Sequence, residues 1–141
     1  MTAEEITAFL DREFPQIHRG GKVFAVEAAS AGIARLRMSY HERLLRPGGT
    51  ISGPSMFALA DVAMYAAVLS AVGPRTEAVT INLNINFLRR PQPRDMIAEA
   101  RVLKLGKRLA VGEIALHSDG ETDLAAHATA TYSIPSVDVV K

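Results

Sequence analysis

The chain has 141 residues, 48% of them hydrophobic and 22% charged, with a formal net charge of +1. These figures suit one globular domain, spanning 1–141, with enough buried surface to need no covalent staples. They exclude a dedicated nucleic-acid binder, whose affinity rests on a strong positive field. The absence of cysteine rules out disulfides, thiolate catalysis and cysteine-ligated metals.

The N-terminal segment Thr2 to Phe14 reads as a helix. Thr2 can cap it, Glu4 and Glu5 suit its first turn, and Pro15 stops it. Ile6, Phe9, Leu10 and Phe14 fall near helical spacing and should pack on the body. The segment is acidic, without the basic start and apolar run of a signal peptide, so a cytoplasmic protein is expected. Residues 22–40 alternate as two strands turning near Ala31 and Gly32. A loop follows over 41–50. Beyond it comes an apolar segment, 54–72, and then four strand-like runs at 77–90, 95–105, 108–118 and 122–134. Asp119 and Gly120 give a strong hairpin signal between the last two. The final VDVVK is expected to fray. In the run 77–90, Val79, Ile81, Leu83, Ile85 and Phe87 alternate with Thr80, Asn82, Asn84 and Asn86. One face of it should meet the core and the other a wetter surface. The pattern predicts an α+β fold: a curved antiparallel sheet of five to six strands against one long helix, with a second helix at the N-terminus.

The apolar segment carries the main puzzle. Its nineteen residues would reach about 28 Å as a helix, close to the thickness of a bilayer core. It lacks basic anchors before it and is followed by half-buried strands, so a buried core helix is expected and no membrane partner. Six alanines let a sheet approach closely. Ser52 or Gly53 would cap this helix, Pro54 suits its first turn, and Gly73 with Pro74 ends it. Asp61 sits in the middle. A buried, unpaired aspartate is costly, so it either pairs with a neighbour or does chemistry.

The surroundings of Asp61 resemble the PaaI-type acyl-CoA thioesterases of the hotdog fold. That family's pattern is Gly-Thr-aliphatic-His-Gly-Gly, with an acid eight residues after the first glycine of the pair. Here Gly49, Thr50 and Ile51 match, Gly53 stands for that glycine, and Asp61 lies at the right distance. The run AVTINLNINFLRRPQPRD is similar to the family's long strand and turn, and Gly106, Lys107 and Arg108 to its next hairpin. The resemblance covers residues 20 to 134. Ser52 replaces the family histidine, Pro54 the second glycine, and Arg46 an asparagine that often positions water or substrate. Thr80 aligns with a hydroxyl residue that some members use near the attacking water.

Thioester hydrolysis needs a nucleophile or base, donors for the developing oxyanion, and controlled water. The Gly53 amide at a helix N-terminus is a natural oxyanion donor, joined by the Ser52 hydroxyl or the Ser55 amide. Asp61 serves as nucleophile or general base, and the choice stays open. Eight helical residues separate Gly53 and Asp61 by about 12 Å, so one copy of the helix cannot easily serve both ends of one carbonyl. Two antiparallel copies can, which calls for at least a homodimer with composite sites. The resemblance implies the same, and often a homotetramer. Met56, Phe57, Met64 and Tyr65 are candidates for an acyl pocket. Arg46, at the family's asparagine position, is a further candidate for a substrate contact. Arg89 and Arg90, followed by Arg94, and Lys107 with Arg108 are candidates for the phosphates of coenzyme A along one rim.

The histidines at 18, 41, 117 and 127 show no metal spacing. Histidines 117 and 127 are expected to be structural or surface residues, with His41 a weaker candidate for a substrate contact. No phosphate loop and no Gly-x-Ser-x-Gly elbow occurs. No cofactor is expected beyond the coenzyme A of an acyl-CoA substrate. Two alternatives stand beside the thioesterase: a non-catalytic acyl-CoA binder, and a hotdog dehydratase or hydratase.

Overall fold

The computed structural model describes residues 1–135, so the C-terminal VDVVK lies outside the described residues. Helix α1, Ala3–Glu13, starts as the sequence predicts. The Thr2 hydroxyl accepts from the Glu5 amide, and the Glu5 side chain accepts from the Thr2 amide, the reciprocal pair of a capping box. Ile6, Phe9 and Leu10 form its buried stripe.

Strands β1, Phe24–Ser30, and β2, Ile33–Met38, form a hairpin through Ala31 and Gly32. Both turn residues have positive φ, and the glycine adopts that region without penalty. The stretch expected as a plain loop holds a short 3-10 turn at Glu42–Leu44 and a small ribbon, β3 (Leu45–Arg46) with β4 (Thr50–Ile51). Helix α2, Gly53–Val72, follows directly. Then come β5, Val79–Phe87, β6, Met96–Leu105, β7, Leu109–Ser118, and β8, Ala126–Ser133. The main sheet is antiparallel, six strands in the order β1-β2-β6-β7-β8-β5. The run expected from 122 begins as strand only at Ala126. Before it, the Ala125 amide already donates to the Leu116 carbonyl at 2.7 Å.

The sheet wraps α2. Alanines 60, 63, 66 and 67 are fully buried, as are Leu59, Met64, Val68 and Leu69. Close approach is tightest at Gly112, where an added Cβ would come 2.6 Å from the Arg101 carbonyl oxygen and 2.7 Å from the Met64 sulfur. Long and apolar enough by composition to cross a membrane, α2 is instead mostly buried inside the fold as its core helix. The sheet's outer face carries a ladder of paired charges, including Arg35 and Arg37 on Glu27 and Arg101 on Glu113.

One prediction about β5 needs correction. Its register with β8 shifts between Thr80 and Asn82, leaving Ile81 as a bulge. A bulge adds one residue and reverses the facing of whatever lies beyond it. Thr80 therefore pairs with Tyr132, and Leu83 with Ala130, both on the helix side. Thr80 does not share the face of the asparagines, as strict alternation predicts. The bulge turns it inward, toward α2.

Candidate active site

The inward turn of Thr80 completes a cluster around Asp61. The Thr80 hydroxyl donates to Asp61 Oδ1 at 2.6 Å. The Tyr132 hydroxyl donates to the same oxygen at 2.7 Å and to the Asp61 main-chain carbonyl at 3.0 Å. Among the described residues, no donor reaches Oδ2. A cavity of about 420 Å³ opens beside the carboxylate, bordered by Phe14, Tyr65, Thr80 and Tyr132 among others. Burial, and then the negative charge of Asp61, push the Tyr132 phenol well above its ordinary value, so the ring stays protonated and donates. Burial, with Glu77 and Glu13 nearby, pushes Tyr65 up to about 12. The Tyr65 hydroxyl donates to the Arg75 carbonyl at 2.9 Å.

Asp61 is half-buried rather than deep in the core. With Pro54, Phe57 and Ala58 it lies on a stripe of α2 that the sheet does not cover. The neighbouring edge strand β5 is bare as well: Val79 and Ile81 are each more than half exposed, as is Phe87.

Gly53 stands at the other end of this surface. It is the first residue of α2, so its N–H has no acceptor within the helix. The Phe87 ring packs on it closely enough that an added Cβ would sit 3.3 Å away. Ser52 is the N-cap. Its hydroxyl accepts from the Ser55 amide at 3.2 Å and donates to the Ser55 hydroxyl at 2.8 Å, and its own amide donates to the Leu44 carbonyl at 2.8 Å. A second cavity, about 410 Å³, borders Gly53 together with Arg46, Met56, Arg89 and Arg90.

The remaining predicted residues divide by place. Met56 borders the Gly53 cavity and Tyr65 the Asp61 cavity. Phe57 is exposed between them. Met64 is fully buried beneath Gly112, a core residue bordering neither cavity. Arg89 pairs with Asp123 at 2.8 Å, and Arg90 donates to the Gly48 carbonyl at 3.0 Å. Lys107 and Arg108 border a separate cavity at the β6–β7 turn. The expected single rim fails within one chain. The antiparallel register sets Leu109 and Val79 at one end of β8, beside Ser133, and Phe87 at the other, beside Ala126. A nine-residue strand separates the two basic groups, on the order of 27 Å.

His41 accepts from the Arg43 amide at its own turn. As expected, His117 and His127 lie on the outer face, near Glu99 and Glu113. Sequence reasoning missed Tyr132 and Phe14. Tyr132 falls in an alternating run of alanine and threonine, where one more inward residue carries no distinct signal.

The chain's segment 48–125 matches the family model of the thioesterase superfamily. The chain is 32% identical over 131 residues to a candidate esterase of Saccharolobus solfataricus, covering 93% of this chain and 78% of that one. Among solved structures, it is similar to a candidate thioesterase of Silicibacter sp. TM1040: 47% identity, 95% and 92% of the two chains, TM-score 0.83. It is also similar to a mutant of the phenylacetic acid degradation protein PaaI of Thermus thermophilus: 26% identity, 79% and 93% covered, TM-score 0.70. The motif around Gly53 and Asp61, the wrapped helix and these likenesses agree, and the chain belongs to the thioesterase superfamily as a PaaI-type hotdog protein.

Proposed function

We propose that the protein is a cytoplasmic acyl-CoA thioesterase that works as a homodimer. Asp61 of one subunit and the Gly53 amide of the other act on one thioester carbonyl. The observation that supports this reading most is the separation of the two half-sites. A held carboxylate with one unengaged oxygen borders one cavity, and a helix-terminal amide borders another. Between them lies bare, partly apolar surface on α2 and β5.

A two-fold axis beside β5 would join these pieces. It would cover Val79 and Ile81, bring Gly53 toward the partner's Asp61, and carry Lys107 and Arg108 toward the partner's Arg89 and Arg90. The basic groups that fail to form one rim in a single chain would then flank one coenzyme A. Further pairing of dimers into a tetramer leaves this junction unchanged.

The chemistry follows from the donors. Two hydroxyls on Oδ1 fix the plane of the carboxylate and leave Oδ2 to act. As a base, Oδ2 takes a proton from water as that water attacks the thioester carbon; collapse of the intermediate breaks the C–S bond, and the proton passes to the departing coenzyme A thiolate. As a nucleophile, it forms a mixed anhydride and expels the coenzyme A thiolate, and water then cleaves the anhydride to release the free acid and restore the carboxylate. In either path negative charge grows on the carbonyl oxygen, where the Gly53 N–H and the α2 dipole stabilise it. The Ser52 hydroxyl is engaged with Ser55 in the cap, so it serves the start of α2 rather than the substrate oxygen. No histidine borders either cavity among the described residues, which disfavours the dehydratase alternative, whose chemistry usually pairs a histidine with the carboxylate.

The test is release of free thiol from a panel of aliphatic and aryl acyl-CoAs. Wild type should turn over at least one, and Asp61→Asn should lose about 10³-fold or more in kcat while remaining dimeric. Unchanged turnover in the variant would remove Asp61 from the chemistry. Binding of acyl-CoA without turnover by wild type would make the protein a binder.

A further inference from the structure

Asp61 is held by more than the family's motif segment. Tyr132 is 4% exposed and makes two bonds to one residue, to the carboxylate oxygen Oδ1 and to the main-chain carbonyl of Asp61. A hydroxyl shared in this way ties the side chain to its own helix turn and restricts the Asp61 rotamer. Thr80 alone would leave the carboxylate free to swing about its single contact.

The phenol ring is itself held. It stacks on Tyr65, with centroids 5.9 Å apart and planes 16° from parallel. Tyr65 in turn meets Phe9 at 6.3 Å and Phe14 at 6.4 Å, both edge to face, geometries that aromatic pairs prefer. A continuous aromatic column therefore runs from α1 through Tyr65 and Tyr132 to Asp61. Three of its four rings, Phe9, Phe14 and Tyr132, lie outside the segment 48–125 that matches the superfamily.

We propose that Tyr132 is a positioning residue for Asp61: it pins Oδ1 to the helix main chain, presents Oδ2 alone to the cavity, and is steadied by the aromatic column anchored on α1. This rests on the reading of Asp61 as the reacting group. Although its ring borders the cavity, the Tyr132 hydroxyl is engaged with Asp61 and acts through the carboxylate.

Tyr132→Phe tests this, because it keeps the ring and its stacking and removes only the hydroxyl. We expect kcat to fall about 10- to 100-fold, the size of effect that a small misplacement of a reacting group produces. KM for the same acyl-CoA should move less than about threefold, since ground-state binding is untouched. Side-chain coupling constants of Asp61, read by NMR on the unliganded protein, should show one χ1 rotamer in wild type and averaging in Tyr132→Phe. A kcat within twofold of wild type, in a fold that is intact and with Asp61→Asn inactive, would overturn the role of Tyr132 and leave that of Asp61 standing. Full activity in Asp61→Asn would instead remove the reading on which the inference rests. The coupling constants decide the positioning claim where no thioester is turned over. A single Asp61 rotamer in both proteins overturns it.

Discussion

The two ends of the α2 surface are built in opposite ways. At the Asp61 end the chain supplies everything that holds the functional group: two hydroxyl donors, a stacked ring pair and a brace from α1. At the Gly53 end it supplies a bare amide, a flat aromatic ring and open cavity. A carboxylate must be aimed and partly shielded, which takes many contacts. An oxyanion donor needs only a fixed N–H and room for substrate. In the proposed dimer, one subunit would supply the held acid and its partner the donor.

The largest expected effect breaks that comparison directly. Gly53→Pro removes the N–H at a helix position where proline is tolerated, and Asp61→Asn removes the acid. Each variant alone should be nearly inactive. Co-expressed in equal amounts, they should regain about a quarter of wild-type kcat, because half the dimers are mixed and one of their two sites is intact. Recovery also shows that both variants fold. A mixture as inactive as its parts would place both groups of a site in one chain. A related change, Ile81→Lys, sets like charges near the proposed axis. It should yield a monomer by sedimentation with at least about 100-fold lower activity, given the cost of like-charge contact at an interface. A stable dimer with normal turnover would move the interface away from β5.

A smaller effect sharpens the account of the Asp61 end. Tyr65 keeps its proton up to about 12 in the folded chain, while an unfolded tyrosine loses it near 10. In that window the unfolded state binds fewer protons, so it is favoured as pH rises. Stability from this group is complete below pH of about 10 and should fall by about 1 kcal/mol per pH unit above it. Urea unfolding between pH 9 and 12 reads the slope. Tyr132, also held protonated by burial and by Asp61, adds its own share, so Tyr65→Phe should lessen the slope without abolishing it, and an equal slope in that variant would place the alkaline loss elsewhere.

Much of this arrangement was legible in the residues. Thr2 and Glu5 announced α1, and Ser52, Pro54 and Gly73 announced α2, because caps are local chemistry. Asp61 stood out because an acid is rare in an apolar helix. What stayed hidden depends on partners remote in sequence. The bulge at Ile81 is set by pairing with β8, so alternation alone gave Thr80 the wrong face. Tyr132 became visible only when β8 was laid against α2. The split between Arg89 and Lys107 required the strand order, and Met64 could be told from a pocket residue only by its contact with Gly112.

The smallest expected effect concerns Ser52, the residue that stands where the family has histidine. Its hydroxyl is engaged twice by Ser55, and the Ser55 hydroxyl also donates to the Leu44 carbonyl at 3.2 Å. The pair ties the start of α2 to the turn before β3. Ser52→Ala should therefore cost about 1 kcal/mol of stability, the usual worth of an N-cap. It should leave kcat within about twofold, because the Gly53 amide is still held by the helix that follows it. Thermal melting and thiol release on the same preparation separate these effects. A kcat lowered 100-fold without a matching loss of stability would make the Ser52 hydroxyl a donor to the substrate oxygen. The Gly53 end would then carry a second oxyanion contact, and the division of labour between the two ends would be less sharp than the geometry indicates.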